Sequence, residues 1–149
     1  MASTIKLFTI GFTKKNAEQF FSLLQQGGVR QVLDTRLNNV SQLAGFTKRD
    51  DLSFFLRKVA GIDYEHAEQL APTDLMLKRY KKAEISWDAY AADYLELIRK
   101  RNVASHFSAE KLDGVCLLCS EATPHHCHRR LAAEFFQQQL GCRFDIIHL

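Results

Sequence analysis

The chain reads as an α/β fold of three layers, a mostly parallel five-stranded sheet with helices on both faces in the Rossmann-like manner. Three observations predict it. Short apolar runs alternate with stretches of helical periodicity along all 149 residues. The intervals between runs are long enough to hold a helix, which brings successive strands parallel through right-handed crossovers. The composition, 46% apolar and 25% charged, is that of an ordinary globular protein, and the length suits one domain over residues 1–149 that buries its own core.

The elements follow in order. The run "KLFTIGF" forms the first strand. Ala17, Phe20, Phe21 and Leu24 then fall at i, i+3, i+4 and i+7, one face of a helix, with Asn16 as its N-cap and Gly27-Gly28 as its stop. "VRQVLDTR" is the second strand. Thr47 to Asp50 resembles a capping signature, and Leu52, Phe55, Leu56 and Val59 repeat the helical spacing before Gly61 closes the element. "IDYEHA" is the third strand, and Pro72 to Ile85 an irregular basic and polar segment. Ser86 caps a helix whose buried stripe is Ala91, Tyr94, Leu95 and Ile98. "GVCLLCSE" is the fourth strand, Ala132, Phe135, Phe136 and Leu140 mark the last helix, Gly141 ends it, and "RFDIIHL" is the fifth strand.

A formal charge of +3 and a pI near 8.7 permit an anionic partner without demanding one. No apolar run approaches the ~18 residues of a membrane helix, so no membrane partner is expected. The start, "MASTIKLFTIGF", reads as a strand rather than a signal peptide, which predicts a cytoplasmic protein. Four cysteines in that compartment read as thiols or ligands rather than disulfides.

In parallel sheets the ligand crevice lies beyond the C-terminal ends of the strands. Thr13, Asp34, Arg36, His66, Glu68, Ser120, Glu121 and the segment around Cys127 follow those ends, so they are expected to converge. At Asp34-Thr35-Arg36, Arg36 suits an anionic oxygen, and Asp34 either orients it or acts as a base; a purely structural ion pair is the alternative. The block Cys116-x2-Cys119-x7-Cys127-His128 admits three readings. A metal reading uses Cys119, Cys127 and His128, with zinc or another transition metal as the cofactor. One tetrahedral site through Cys116 and Cys119 conflicts with strand alternation, which points them to opposite faces. A nucleophile reading makes Cys127 a thiolate activated by a helix start and by His125, His126, His128, Arg129 and Arg130, with Glu121 as acid/base. An anion reading needs only the helix N-terminus, Arg129 and Arg36. Lys78 to Lys82, with Tyr80 and Trp87, is the best surface for a nucleic-acid backbone and a stacked base.

"TIGF", "DTRLNNVSQLAGF", the "LAP" of "EQLAP", "LLCSEATPHHCHRRLAAEFF" and the terminal "IIHL" together resemble the family catalogued as domain of unknown function 488. The resemblance implies a small intracellular α/β protein whose functional region holds Gly11, Asp34, Arg36, Cys119, Glu121, Cys127, His128 and Arg129. It supplies no reaction. Many relatives read Thr-Ile-Gly-His-Ser where this chain has Phe12 after Gly11, and many carry proline at the position of Asn39.

The leading expectation is an enzyme acting on a phosphate-bearing substrate, a nucleotide or nucleic acid. Gly11, Thr13, Arg36 and Arg129 would bind the anion, and Asp34, Glu121, Cys127 and His128 would carry the chemistry. The alternatives are a metal-binding module and a non-enzymatic nucleic-acid adaptor.

Overall fold

The computed structural model describes residues 4–37, 45–119, 127–141 and 143–149. Its five strands are β1 (Ile5–Gly11), β2 (Gln31–Asp34), β3 (Asp63–His66), β4 (Val115–Cys119) and β5 (Phe144–His148). All pair in parallel, in the order β3-β2-β4-β1-β5. The expected α/β three-layer architecture is therefore present. β3 at the edge and β2 beside it are the shortest strands, and the Thr35 and Ala67 amides just past them still donate to the Leu118 and Asp34 carbonyls.

The helices are α1 (Ala17–Gly27), α2 (Arg49–Phe55), α3 (Asp74–Lys81), α4 (Trp87–Lys100), α5 (Ala109–Leu112) and α6 (His128–Gln139). Phe20 and Leu24 of α1 and Leu52 of α2 pack with Phe8, Ile10, Val32, Cys116 and Leu118 on one face of the sheet. Tyr94 and Ile98 of α4, Leu112 of α5 and Leu131, Ala132, Phe135 and Phe136 of α6 pack with Leu7, Leu33, Val115 and Leu117 on the other. Adjacent strand residues go to opposite cores, as the period of two requires. It follows that Cys116 and Cys119, three apart, face opposite layers.

Local chemistry sets the boundaries. Asn16 caps α1 through a reciprocal pair, its side chain accepting from the Gln19 amide at 2.8 Å while Gln19 accepts from the Asn16 amide at 3.0 Å. Gly28 ends the helix at φ 77°, a left-handed conformation that suits glycine. Ser86 caps α4 by accepting from the Ala89 amide.

Three expectations change. Thr47 lies in a 3-10 turn (Gly45–Thr47), and Lys48 rather than Thr47 takes the N-cap position of α2. After α2 the chain widens into a π-turn (Leu56–Ala60), which rotates later side chains, and Val59 points to solvent at 64% exposure instead of into the core. Pro72 to Ile85 is not irregular throughout: α3 occupies its middle, capped by Thr73 accepting from the Met76 amide.

Candidate functional site

The strand registers bring the C-terminal ends level. Gly11 pairs with Cys119, Asp34 with Leu118, and Asp34 with His66. Beyond Gly11 the chain turns, the Lys15 amide donating to the Phe12 carbonyl at 3.0 Å, and carries Thr13 on an exposed turn. The ends of β1, β2, β3 and β4 lie level in the sheet, and α6 starts with Cys127 as its N-cap.

Asp34 and Arg36 form a buried two-pronged pair, Nε to Oδ1 at 2.8 Å and Nη2 to Oδ2 at 2.7 Å. The Arg36 amide adds a bond to Oδ1 at 3.1 Å and the Tyr64 hydroxyl one to Oδ2 at 2.6 Å. Burial alone would push the Asp34 carboxyl up; Arg36's hydrogen bonds and charge, with Tyr64, outweigh it and hold it below the usual carboxylate range. A carboxylate so occupied orients Arg36 and is poorly placed to accept a further proton. Arg36 is 4% exposed, its guanidinium lies 5.4 Å from the Phe12 ring centroid, and its Nη1 has no hydrogen-bond partner. An unpaired buried donor costs about 1–3 kcal/mol. His66 donates from Nε2 to the Arg36 carbonyl at 2.9 Å. Phe12, the departure from the family pattern, thus gives this guanidinium an aromatic face.

His128 stands at the first turn of α6, with Nε2 2.9 Å from the Thr35 carbonyl and 3.0 Å from the Thr35 hydroxyl. A carbonyl only accepts, so Nε2 carries the proton and Nδ1 the lone pair. Burial lowers the His128 pKa to about 4; the bond to Thr35 opposes the shift and Arg129 reinforces it. His128 is therefore neutral at pH 7. It ties β2 to α6, and it does not supply the thiolate-stabilising positive charge expected of it.

That charge comes from Arg129, which is 0% exposed. Its Nη1 donates to Cys119 Sγ at 2.9 Å and reaches Cys127 Sγ at 3.8 Å. A buried guanidinium is costly unless an anion offsets it, and a thiolate on either cysteine is such an anion. The two sulfurs are joined, Cys119 to Cys127. Strand alternation turns Cys119 toward α6, and Cys127 begins α6, so the sulfurs meet although seven residues intervene. Cys116 stays free on the other face, where burial pushes its thiol pKa well up.

Among the described residues no group of three or more histidine, cysteine, aspartate or glutamate side chains is placed to hold a metal ion. Cys119 and Cys127 meet, but His128 Nε2 is engaged with Thr35. Glu121, Ser120, His125, His126, Asn39 and Cys142 lie outside the described residues. Arg130 turns away to within 6.0 Å of the Trp87 ring. Tyr80, Trp87 and Tyr90 pack on one another with centroids 4.9 to 5.7 Å apart, and Lys78 pairs with Asp74 at 2.9 Å, so that basic surface spends its rings internally. No helix among the described residues is long and apolar enough to cross a membrane.

Sequence reasoning missed four contributors. Tyr64 and Thr35 lie in strand or strand-end segments where packing was the natural reading. Lys15 lies close enough to Arg129 that, after burial, the Arg129 charge lowers its pKa. Arg101 donates from Nη1 to the carbonyls of Gln69 at 3.0 Å and Ala71 at 2.7 Å. The one available signal was Tyr64 in "DYEH", a hydroxyl on the strand beside the Asp34 strand.

Comparison with curated proteins and with solved structures gives no match. A family model described as domain of unknown function DUF488 matches residues 16–136, which includes the Asp34–Arg36 pair and the Cys119-to-Arg129 segment but not "TIGF" or "IIHL". With residues 16–136 of its 149 inside that match, the chain belongs to the DUF488 family.

Proposed function

We propose that the chain is a cytoplasmic enzyme acting on a phosphate-bearing substrate, a nucleotide or nucleic acid, at the C-terminal ends of β1, β2 and β4. It works with a cysteine thiolate. The observation that carries this reading is the buried Arg129 guanidinium, 2.9 Å from Cys119 Sγ and 3.8 Å from Cys127 Sγ at the start of a twelve-residue helix. A helix N-terminus and a guanidinium both favour negative charge, whether on sulfur or on a phosphate oxygen.

In the reduced protein Arg129 stabilises the thiolate of the pair, and Cys127 is the nucleophile, at the mouth of the helix. Cys119 has the shorter contact to the guanidinium and holds the positive charge in place. Gly11 ends β1 beside Cys119, with Thr13 on the turn beyond it. Arg36, oriented by Asp34, binds the anion alongside Arg129. His128 offers Nδ1 as a proton acceptor, and Glu121 serves as the acid/base group. The joined sulfurs cannot attack, so activity requires a reducing medium.

The test is a panel of nucleotides, oligonucleotides and simple phosphate esters incubated with the reduced protein and followed by phosphorus NMR. Turnover is expected in the presence of dithiothreitol, and Cys127→Ser and Arg129→Met should each lower it by about 100-fold or more. Full turnover by Cys127→Ser, or none by the wild type across the panel, ends this reading.

A further inference from the structure

A second feature of the same crevice is independent of the sulfurs. Between the ends of β2 and β3 and the C-terminus of α4 lies a cavity of about 370 Å³, lined by Arg36, Leu37, His66, Glu68, Pro72 and Arg101 among others. That volume lies in the range of small-molecule pockets. Two guanidiniums therefore border one cavity, one from the second strand and one from the end of the fourth helix, 65 positions later in the chain.

Both have donors to spare. Among the described residues Arg101 uses only Nη1, on the carbonyls of Glu68, Gln69 and Ala71, which fixes its stem and leaves Nε and Nη2 without a partner there. Arg36 has Nε and Nη2 committed to Asp34, and its buried Nη1 has no partner. Both groups are immobilised by bonds already made, so a ligand meets donors that need little ordering. Guanidinium forks match phosphate oxygens better than any other side chain.

The lining also carries Glu68, whose side chain is 83% exposed and 3.6 Å from His66 Nδ1. A carboxylate there disfavours a bare anion but accepts hydrogen bonds from hydroxyl groups. Leu37 and Pro72 add apolar surface. We infer that this cavity is a subsite for a phosphorylated sugar, the phosphate held by Arg101 and Arg36 and a sugar hydroxyl by Glu68. The ligand is either a free sugar phosphate or the terminal unit of a nucleotide. This inference deepens the phosphate-bearing substrate reading and rests on it for the ligand class. It shares Arg36 with that reading and otherwise uses residues outside the thiolate chemistry.

The experiment titrates inorganic phosphate, ribose 5-phosphate, adenosine 5′-monophosphate and ribose into the reduced full chain, following the arginine Nε–H resonances by NMR. Saturable shifts are expected with the three phosphates and not with ribose, ribose 5-phosphate binding more tightly than inorganic phosphate. Tighter binding of the nucleotide than of the sugar phosphate identifies a nucleotide unit as the source, and equal binding a sugar phosphate. Arg101→Ala should weaken phosphate binding about tenfold or more, with Arg101→Lys intermediate, as loss of a fork implies.

Because Arg101 also holds the Glu68–Ala71 turn, Glu68→Gln provides a variant at an exposed site. It should tighten inorganic phosphate and abolish the preference for the sugar. Absence of saturation at millimolar phosphate, or affinities indifferent to both Arg101→Ala and Glu68→Gln, overturns the subsite. Phosphate binding that depends on Arg101 in a protein without turnover leaves the subsite standing and removes only the thiolate reading.

Discussion

At the scale of single residues, the site is governed by who occupies whose hydrogen-bonding groups. Asp34 was legible as a charged group at a strand end, but its role depends on Tyr64, 30 positions away, whose hydroxyl takes the fourth described bond to the carboxylate. Tyr64→Phe removes that bond and leaves the Arg36 pair in place. It should cost about 1.5–3 kcal/mol, the range for a bond to a charged group, measured as a shift in urea unfolding. A loss below a few tenths would mean that water replaces the hydroxyl. The same dependence explains His128. Its neighbours in sequence are basic, yet its state follows from burial and the Thr35 carbonyl, which no spacing rule reveals.

At the scale of elements, caps and stops were readable because they are local: Asn16, Gly28 and Ser86 act within four residues of where they stand. Helix α3 was not, since it buries no residue and so carries no apolar period to detect. The joining of β4 to α6 was hidden for another reason. Each sulfur's direction was readable by itself, Cys119 from strand alternation and Cys127 from a helix start, but the meeting requires the packed layers. Closing the eight-position separation between them should stabilise the fold by about 2 kcal/mol on chain-entropy grounds. Wild type should therefore melt lower with dithiothreitol than without it, and Cys119→Ser should melt alike in both. Identical wild-type curves would show that the bridge contributes nothing to the folded state.

At the scale of the whole molecule, acid should loosen the structure in two stages. The folded pKa of His128, about 4, lies below its unfolded value near 6.5, so the unfolded chain binds the extra proton between them. The stability from keeping His128 neutral, up to about 3 kcal/mol, is full above pH 6.5 and fades as the pH falls toward 4. The depressed Asp34 carboxyl adds stability that is present above its ordinary value and lost at still lower pH. Urea midpoints from pH 8 to 4.5 should fall for wild type and fall less steeply for His128→Gln; parallel slopes would assign the acid sensitivity elsewhere. The fold class was legible because five strand and helix signals alternate along the chain. The strand order was not, because pairing joins residues that no local window contains. Leu7 pairs with Val115 and Ile5 with Phe144, so both neighbours of β1 come from the last third of the chain. During synthesis, β2 and β3 can meet as soon as residue 66 has emerged, whereas β1 must wait, apolar and unpaired, until residue 119 has left the ribosome. Of the five strands β1 is made before the others yet is among the last to find its partners, and its exposure time on the nascent chain is set by the distance to β4.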